Sequence, residues 1–397
     1  MTSPTSSDYD APASQSGLTG SARNGTGLLP SGLSDQLFPL SAQNVAAQQQ
    51  VISFFTQAGY QLVKPPLVEF EETLIDEALG ASLSTQTFRL LDPISRRMMA
   101  LRADMTAQVA RISGTRLSHL PRPLRLAYFG DVMRVVPDVL NPERQMEQVG
   151  AEIIGRDDDL AVAEIIMLGV QALKSSGLTG LTVDLSLPQL AGMMITPDDD
   201  AAALAEAISQ KDSMSLRQSG AENASLIADI IEASGHKTQK LSELRQHADN
   251  DVSAALTSLL EVHEMLSALD ADLVLTLDPM DGQGAGYHSR IAFSFYAEGV
   301  RGPVASGGAY LTGYDEAAIG LSVYMERVLK VLPDPQQMPR LYIPASVGLA
   351  AGLAYMNRGR HVIFGSPDAD AGAEARALEC QFILSDADGQ PEPVARP

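Results

Sequence analysis

Four polar residues that could bind a zwitterionic ligand lie close together in the stretch 123–155 of this chain. Arg134 and Arg144 supply two cations, while Gln148 and Glu152 supply an amide and a carboxylate. Because guanidinium groups match the oxygens of carboxylates and phosphates, this set suits an amino acid or a phosphate-bearing ligand. Gln148 and Glu152 are four residues apart, so both would face the same side of a strand. The alternative is a surface hairpin whose charges face water, and these residues alone favour neither interpretation.

The residues around this set predict two strands joined by a loop. Leu124, Leu126 and Tyr128 recur at every second position, which is the pattern of a half-buried strand. The segment 137–142 is rich in Pro, Asp and Asn, and its prolines stop strand pairing. A second apolar run at 149–154 predicts the return strand. The polar residues would then line the floor of a pocket built on a hairpin.

This stretch resembles the second signature motif of class II aminoacyl-tRNA synthetases, in the form found in histidyl-tRNA synthetases. Further segments resemble the substrate-binding and third-motif segments of that family, in the same order: 101–106 (LRADMT) with 110–111 (AR), 287–293 (YHSRIAF), 306–310 (SGGAY) and 319–327 (IGLSVYMER). The matches cover most of residues 28–332. The resemblance implies an α+β fold, in which an antiparallel sheet is flanked by helices, and a dimer.

The resemblance also implies a retained pocket for histidine or a similar ligand. Its predicted residues are Asp104, Thr106, Arg134, Arg144, Gln148, Glu152, Tyr287 and His288. In the family, the acidic residue at the position of Asp104 contacts the amino group of histidine. Asp104 also stands just before a helical pattern, where it could cap the helix. The two roles are compatible, and we expect both.

Four positions that handle ATP in the synthetases carry other residues here: Gln283, Val136, Ala309 and Tyr324. Gln283 replaces the catalytic arginine, and a neutral amide cannot supply the full positive charge that stabilises the reacting α-phosphate. Val136 and Ala309 replace charged residues of the second motif and of the glycine-rich substrate segment. Tyr324 replaces a glycine that leaves room for adenine. The resemblance therefore implies a scaffold that no longer activates an amino acid.

Composition and charge limit the partners of the chain. It has 397 residues, 28 basic against 49 acidic side chains, and a formal net charge of −21, without a run rich in Lys or Arg. Nucleic-acid binding needs clustered cations that displace counterions, so we expect no nucleic-acid partner. No apolar run is long enough to predict a membrane span, and no secretory signal is predicted, which favours the cytoplasm.

The sequence predicts neither a disulfide nor a metal site. Cys380 is the sole cysteine, so it cannot form an internal disulfide or a thiolate cluster, and it is better explained as a small buried residue. The run Asp157, Asp158 and Asp159 precedes a helical pattern at 160–175. Carboxylates at that place more often complement the helix dipole than bind a metal.

Changes in composition divide the chain into regions. Residues 1–27 are rich in Ser, Thr, Gly and Pro, which predicts a disordered tail. Residues 28–335 form the predicted synthetase-like core, with a helical insertion at about 189–270. Residues 336–397 predict a small α/β domain of alternating strands and helices, shorter than we expect for an anticodon-binding domain. Earlier in the chain, Ser41 is a candidate cap of a helix whose apolar face includes Val45.

A synthetase-like core without its catalytic arginine and without a full anticodon module resembles the regulatory subunits of ATP phosphoribosyltransferase. That resemblance implies a non-catalytic chain without a cofactor, which activates a short-form catalytic subunit in the first step of histidine biosynthesis. It also implies a hetero-octamer and feedback inhibition by histidine. Two other interpretations stay open: a divergent, active histidyl-tRNA synthetase, and a synthetase-like binding module with a different partner.

Overall fold

The computed structural model describes residues 28–74, 84–137, 142–334, 338–387 and 389–395. The predicted tail at 1–27 lies outside the described residues. Within them, the helices are α1 (Leu40–Gln57), α2 (Glu71–Leu74), α3 (Thr106–Thr115), α4 (Asp159–Ser175), α5 (Leu190–Met194), α6 (Ala201–Ser209), α7 (Ser213–Gln218), α8 (Ala224–Glu232), α9 (Thr238–Leu244), α10 (Asn250–Leu269), α11 (Met325–Val328), α12 (Leu349–Met356) and α13 (Ala371–Ala377). A 3₁₀ helix at Arg245–His247 joins α9 to α10.

The strands form three sheets. They are β1 (Gln61–Leu62), β2 (Val68–Phe70), β3 (Arg89–Leu91), β4 (Met98–Leu101), β5 (Leu124–Met133), β6 (Gln145–Ile154), β7 (Leu181–Ser186), β8 (Val274–Asp278), β9 (His288–Ala297), β10 (Ala305–Leu311), β11 (Ala317–Tyr324), β12 (Arg340–Ile343), β13 (His361–Phe364), β14 (Phe382–Ile383) and β15 (Glu392–Pro393). The largest sheet has eight strands in the order β1-β5-β6-β11-β10-β9-β7-β8, and a three-stranded sheet has the order β2-β4-β3.

The large sheet is antiparallel through its six central strands. Strands β5 and β6 form the predicted hairpin, with Leu124 opposite Ile154 and Gly130 opposite Gln148. Strand β11 lies next to β6, and β10, β9 and β7 follow, each antiparallel to its neighbour. Only the outermost pairs, β1 with β5 and β7 with β8, are parallel. The predicted α+β fold with an antiparallel sheet flanked by helices is confirmed.

The two faces of strand β6 have different neighbours. Val149, Ala151 and Ile153 are buried in the main core, which α1 and α4 also line. Gln148 and Glu152 alternate with these residues and therefore project from the other face of the sheet. The expectation that both side chains face one side is thus confirmed, and β6 separates an apolar core from a polar pocket.

Two helix starts test the sequence reasoning. The acidic run does serve a helix, because the Asp158 side chain accepts a hydrogen bond from the Ala161 N–H and caps α4. The prediction for α1 was wrong in detail: α1 begins at Leu40, after Pro39, and Ser41 does not cap it. Val45 is 67% exposed rather than part of the buried face. Helical spacing alone does not say how far around a helix the core extends.

The segment between β7 and β8 is helical throughout, from α5 to α10. Its apolar residues join the main core against α4, and Leu256, Leu259 and Leu266 of α10 are fully buried there. Several side chains tie this segment to the large sheet, among them Lys211, which pairs with Asp278 of β8. The Gln189 amide also donates hydrogen bonds to the backbone carbonyls of Ala285 and His288, just ahead of β9.

The C-terminal region forms a separate four-stranded sheet in the order β13-β12-β14-β15. Strands β13, β12 and β14 are parallel, and β15 is antiparallel to β14. Helix α12 covers one face with a small core around Leu341, Ile343 and Tyr355. The other face carries Tyr342, Ala375 and Cys380, and Cys380 is buried as expected.

The third motif folds differently from its prediction. The sequence predicts a helix over 315–332 with a strand-like run at 319–321, but β11 occupies Ala317–Tyr324 and the helix is the single turn α11. The alternating residues Ile319, Leu321 and Val323 are buried in the main core, so period-two packing decides the conformation. Gly320 lies opposite Glu152 of β6 in the sheet, so an added Cβ there would collide with the Glu152 carboxyl group.

Candidate functional site

A cavity of about 260 Å³ opens on the polar face of the large sheet. Strands β6, β10 and β11, the start of α3 and the turn before β9 supply its walls. Its polar and aromatic lining side chains are Asp104, Thr106, Glu152, Tyr287, His288, Ser306, Tyr310, Ser322 and Tyr324. Its volume is slightly below the range typical of drug-sized ligands, so it suits a molecule of amino-acid size.

Glu152 lies fully buried at the inner wall of this cavity. Its carboxyl group accepts hydrogen bonds from the Tyr128 hydroxyl, at 3.1 Å, and from the Tyr310 hydroxyl, at 2.9 Å. Desolvation by burial raises the pKa of Glu152 to about 8, despite these hydrogen bonds. At neutral pH the Glu152 carboxyl group is therefore mostly protonated, and a cationic or N–H-donating ligand would favour its ionised form.

Asp104 stands half-buried in the wall of the same cavity, close enough for its charge to help raise the pKa of Glu152. Its Oδ1 accepts the Thr106 N–H at 2.8 Å, and its Oδ2 accepts the Gln148 amide at 2.8 Å. The same Gln148 amide donates to the Ser322 hydroxyl at 2.6 Å, while its oxygen accepts the Met105 N–H. Gln148 therefore fixes the orientation of Asp104. The predicted helix cap is wrong in detail: Met105 is the N-cap residue of α3 and makes no side-chain cap, whereas Asp104 precedes it and accepts the N–H of Thr106, the first residue of the helix.

Tyr287 and His288 form the aromatic wall of the cavity. The Tyr287 ring stacks on Tyr310 with a centroid separation of 5.2 Å and an interplanar angle of 19°. Burial lowers the pKa of His288 to about 4, so its imidazole is neutral, and its Nδ1 lies 3.3 Å from the Ala309 carbonyl oxygen. A Cβ at Gly308 would lie 2.6 Å from that Nδ1, so the close approach of His288 requires glycine there.

Neither predicted arginine lines the cavity. The Arg134 Nε donates to the Ala103 carbonyl at 3.3 Å. Arg144 donates to the backbone carbonyls of Arg134 and Ser31, both at 3.3 Å, and its guanidinium lies 4.7 Å from the centre of the Phe88 ring. Arg144 therefore holds the segment before α1 against the β5–β6 hairpin, a role that sequence reasoning missed because Ser31 is 113 residues away.

The positions that differ from the synthetases do not bring a cation into the cavity. Tyr324 lines it, and its hydroxyl lies 2.7 Å from the Ser306 hydroxyl. The third-motif arginine, Arg327, is buried beside that ring at 5.3 Å and donates to the Pro303 carbonyl at 2.8 Å. Gln283 is exposed in the turn before β9. Within the described ranges, no lysine or arginine side chain lines this cavity.

The remaining positions are outside the pocket. Val136 is 57% exposed after β5, whereas Ala309 is fully buried in β10. Sequence reasoning missed Ser306, Ser322 and Tyr310 as lining residues. Their signal was present, since Ser306, Gly308 and Tyr310 alternate along β10 as a strand face does.

Among the described residues, no group of three or more His, Cys, Asp or Glu side chains could hold a metal ion. No described helix is both long and apolar enough to cross a membrane.

Comparisons with known proteins agree with this geometry. The family model described as "Histidyl-tRNA synthetase" matches residues 32–328. The chain is also similar to a solved structure from Bacillus halodurans, an "ATP phosphoribosyltransferase regulatory subunit/histidyl-tRNA synthetase", with a TM-score of 0.77, 23% identity, and coverage of 90% of this chain and 98% of the other. For a histidyl-tRNA synthetase from Nostoc, the TM-score is 0.73, the identity is 18%, and each chain is covered to 90%. Fold and family model together define a histidyl-tRNA synthetase-like protein of class II.

Curated relatives narrow that class. The chain is 39% identical over 363 residues to an ATP phosphoribosyltransferase regulatory subunit of Paramagnetospirillum magneticum, covering 90% of this chain and 96% of the relative. It is 37% identical over 370 residues to the protein of the same name from Gluconobacter oxydans, at 92% and 97% coverage. The chain belongs to the family of ATP phosphoribosyltransferase regulatory subunits. The resemblance inferred from the motifs, including the regulatory rather than catalytic assignment, is confirmed.

Proposed function

We propose that this chain regulates a short-form ATP phosphoribosyltransferase catalytic subunit and mediates feedback control by binding histidine in the cavity at β6. The observation that carries the histidine assignment is the charge of the cavity. It holds the carboxyl groups of Asp104 and Glu152 and is lined by no cation among the described residues. A nucleotide needs several cations for its phosphates, whereas an amino acid needs an acceptor for its ammonium group and a single partner for its carboxylate. Arg134 lies outside the lining but close enough to act electrostatically on Tyr324, and we assign the carboxylate to that side.

Histidine carries two kinds of N–H donor, its ammonium group and its imidazole ring, and the cavity has two carboxyl groups, Asp104 and Glu152, to accept them. Asp104, held by Gln148, is placed to accept hydrogen bonds from the α-ammonium group. The imidazole ring fits between the aromatic wall and Glu152, whose carboxyl group can accept a ring N–H. Tyr324 fills space beside Arg327, which supports binding of an amino acid without ATP.

The regulatory role is tested by the rate of phosphoribosyl transfer of a purified short-form catalytic subunit. Adding this chain should raise the rate, and histidine should then lower it. An unchanged rate would contradict the regulatory proposal. Histidine-dependent pyrophosphate exchange, measured on the same sample, should be absent, and its presence would instead favour an active synthetase.

The binding site is tested by titration calorimetry of histidine into the full chain. Glu152→Gln should weaken binding about tenfold to a hundredfold, because a hydrogen bond to a charged group contributes roughly 1.5–3 kcal/mol. Glu261→Gln, at an exposed position of α10, is the matched control and should bind as the parent does. Equal affinities for the two variants would exclude Glu152 from the site.

We extend the proposal to assembly and location. A self-dimer through the first-motif helix is supported by exposed apolar side chains at the start of α1, where Phe38 is 82% and Val45 67% exposed. Four such chains with four catalytic subunits would form the hetero-octamer, in the cytoplasm and without nucleic acid. Light scattering of the mixed subunits measures that stoichiometry.

A further inference from the structure

Among the described residues, the sheet of the C-terminal region has one open edge and one blocked edge. At the blocked edge, β15 has only two residues, the charged Glu392 and Pro393, which lacks a backbone donor. At the other edge, the four residues of β13, HVIF, contain no proline, lysine or carboxylate. Natural proteins usually protect edge strands with such residues, because a bare edge offers unpaired backbone groups to another strand. Strand β13 is therefore available for pairing.

Helix α12 carries an exposed apolar stripe. Leu349, Leu353 and Met356 are 66%, 53% and 48% exposed, and their spacing of four and three residues places them along one line of the helix. The stripe is separate from the face that α12 buries, which contains Gly352 and Tyr355.

This stripe lies on the side of α12 nearest the open edge. On the buried side, the Tyr355 hydroxyl donates to the Gly389 carbonyl, toward β14 and β15. Gly352 instead meets β13, where its added Cβ would lie 2.2 Å from the Phe364 ring. At 100° per residue, Gly352 falls between Tyr355 and Leu349 around the helix. Going around α12 from Tyr355, one therefore meets Gly352 above Phe364 and then the stripe, which lies beyond the β13 edge. Phe364 is itself 39% exposed.

Charges at the two ends of β13 are complementary. Arg358 and Arg360 precede the strand, and Asp368 and Asp370 follow it, all four exposed. Two copies of β13 that run antiparallel would place the basic end of each beside the acidic end of the other. The geometry points to a second copy of this chain as the occupant: the two β13 edges pair across a twofold axis into one eight-stranded sheet.

The twofold axis limits the register, and an axis at Ile363 sets Arg358 of one copy opposite Asp368 of the other. An axis perpendicular to the sheet keeps both α12 helices on the same face, so each residue must pair with one that points to its own face. With the axis at Ile363, Ile363 is opposite itself and Val362 is opposite Phe364 of the second copy. Paired strands lie about 4.8 Å apart, which brings the two α12 stripes within about 10 Å, the distance of packed helices.

A cysteine at the axis tests this register. In the full chain, Ile363→Cys with Cys380→Ala should form a covalent dimer on mild oxidation, because directly opposite residues of antiparallel strands have Cα atoms about 4.5–5.5 Å apart, within disulfide range. The second substitution removes Cys380, which lies in the same small cluster as Ile363. The control is Glu392→Cys with Cys380→Ala, at the blocked edge, and should remain unlinked.

A second variant tests the helix stripe without altering the strand. Together with the proposed α1 dimer, pairing of β13 makes a tetramer, and Leu353→Asp should halve its mass measured by light scattering, because the change buries two charges between the α12 helices of a pair. Met214→Asp, at a 70% exposed position of α7, should leave the mass unchanged. The pairing is overturned if Leu353→Asp keeps the parent mass, or if folded Ile363→Cys protein links no more than its control. If the Ile363→Cys protein instead formed a disulfide with an added catalytic subunit and never with a second copy, the edge would belong to that subunit and self-pairing would be overturned.

Discussion

The buried carboxyl group of Glu152 should make the stability of this protein depend on pH in an unusual direction. Its pKa is raised from 4.5 to about 8 in the folded chain. Between these values the folded state keeps a proton that the unfolded state has released, so stability falls as pH rises through this window. The difference of about 3.5 in pKa corresponds to about 5 kcal/mol at 1.36 kcal/mol per unit, which is an upper estimate for the full window.

The neutral variant Glu152→Gln isolates this contribution. Its free energy of unfolding, minus that of the parent, should rise by about 1.4 kcal/mol per pH unit from pH 5 to 8 and level off above pH 8. Urea denaturation at several pH values measures this difference, from which the titration of all other groups cancels. Glu261→Gln, which is exposed, should give a flat difference. A flat difference for Glu152→Gln as well would refute the assignment of a neutral, buried carboxyl group.

Three further substitutions have expected outcomes. Gly320→Ala should destabilise the fold by about 1–3 kcal/mol and abolish histidine binding in calorimetry, because its Cβ would displace the Glu152 carboxyl group. The control is Gly192→Ala, where an added Cβ meets nothing within 4 Å. It should change the stability and the binding free energy by no more than about 1 kcal/mol each. Asp158→Ala should lower the thermal-unfolding free energy by about 0.5–2 kcal/mol through loss of the α4 cap, and an unchanged value would contradict the capping role. Arg144→Ala should speed amide hydrogen exchange in residues 28–36 without changing that of α4. If exchange in residues 28–36 were the same in the variant and the parent, other contacts would hold this segment.

Sequence patterns predicted the parts of the site that depend on short-range order. The spacing of Gln148 and Glu152 placed both on one face of a strand, since period two is a property of the strand itself. The helical pattern placed the start of α3 within two residues of Asp104, although Met105 rather than Asp104 is its N-cap residue. These predictions needed only the local conformation and the order of the motifs.

Other features depend on contacts between distant segments, which spacing does not encode. Arg144 had the charge for a ligand contact, but Ser31 and Phe88 hold it away from the cavity. Val45 had helical spacing for the core, yet its side of α1 is exposed. The strand β11 was taken for part of a helix because short apolar runs fit both periods, and its pairing with β6 decided the outcome.

The division of labour along β6 has an evolutionary consequence. Val149, Ala151 and Ile153 hold the main core on one face, while Gln148 and Glu152 serve the cavity on the other. Selection can therefore act on the two faces separately. Residues that line the cavity can change, and with them the ligand that the cavity accepts, while the sheet that carries them stays the same.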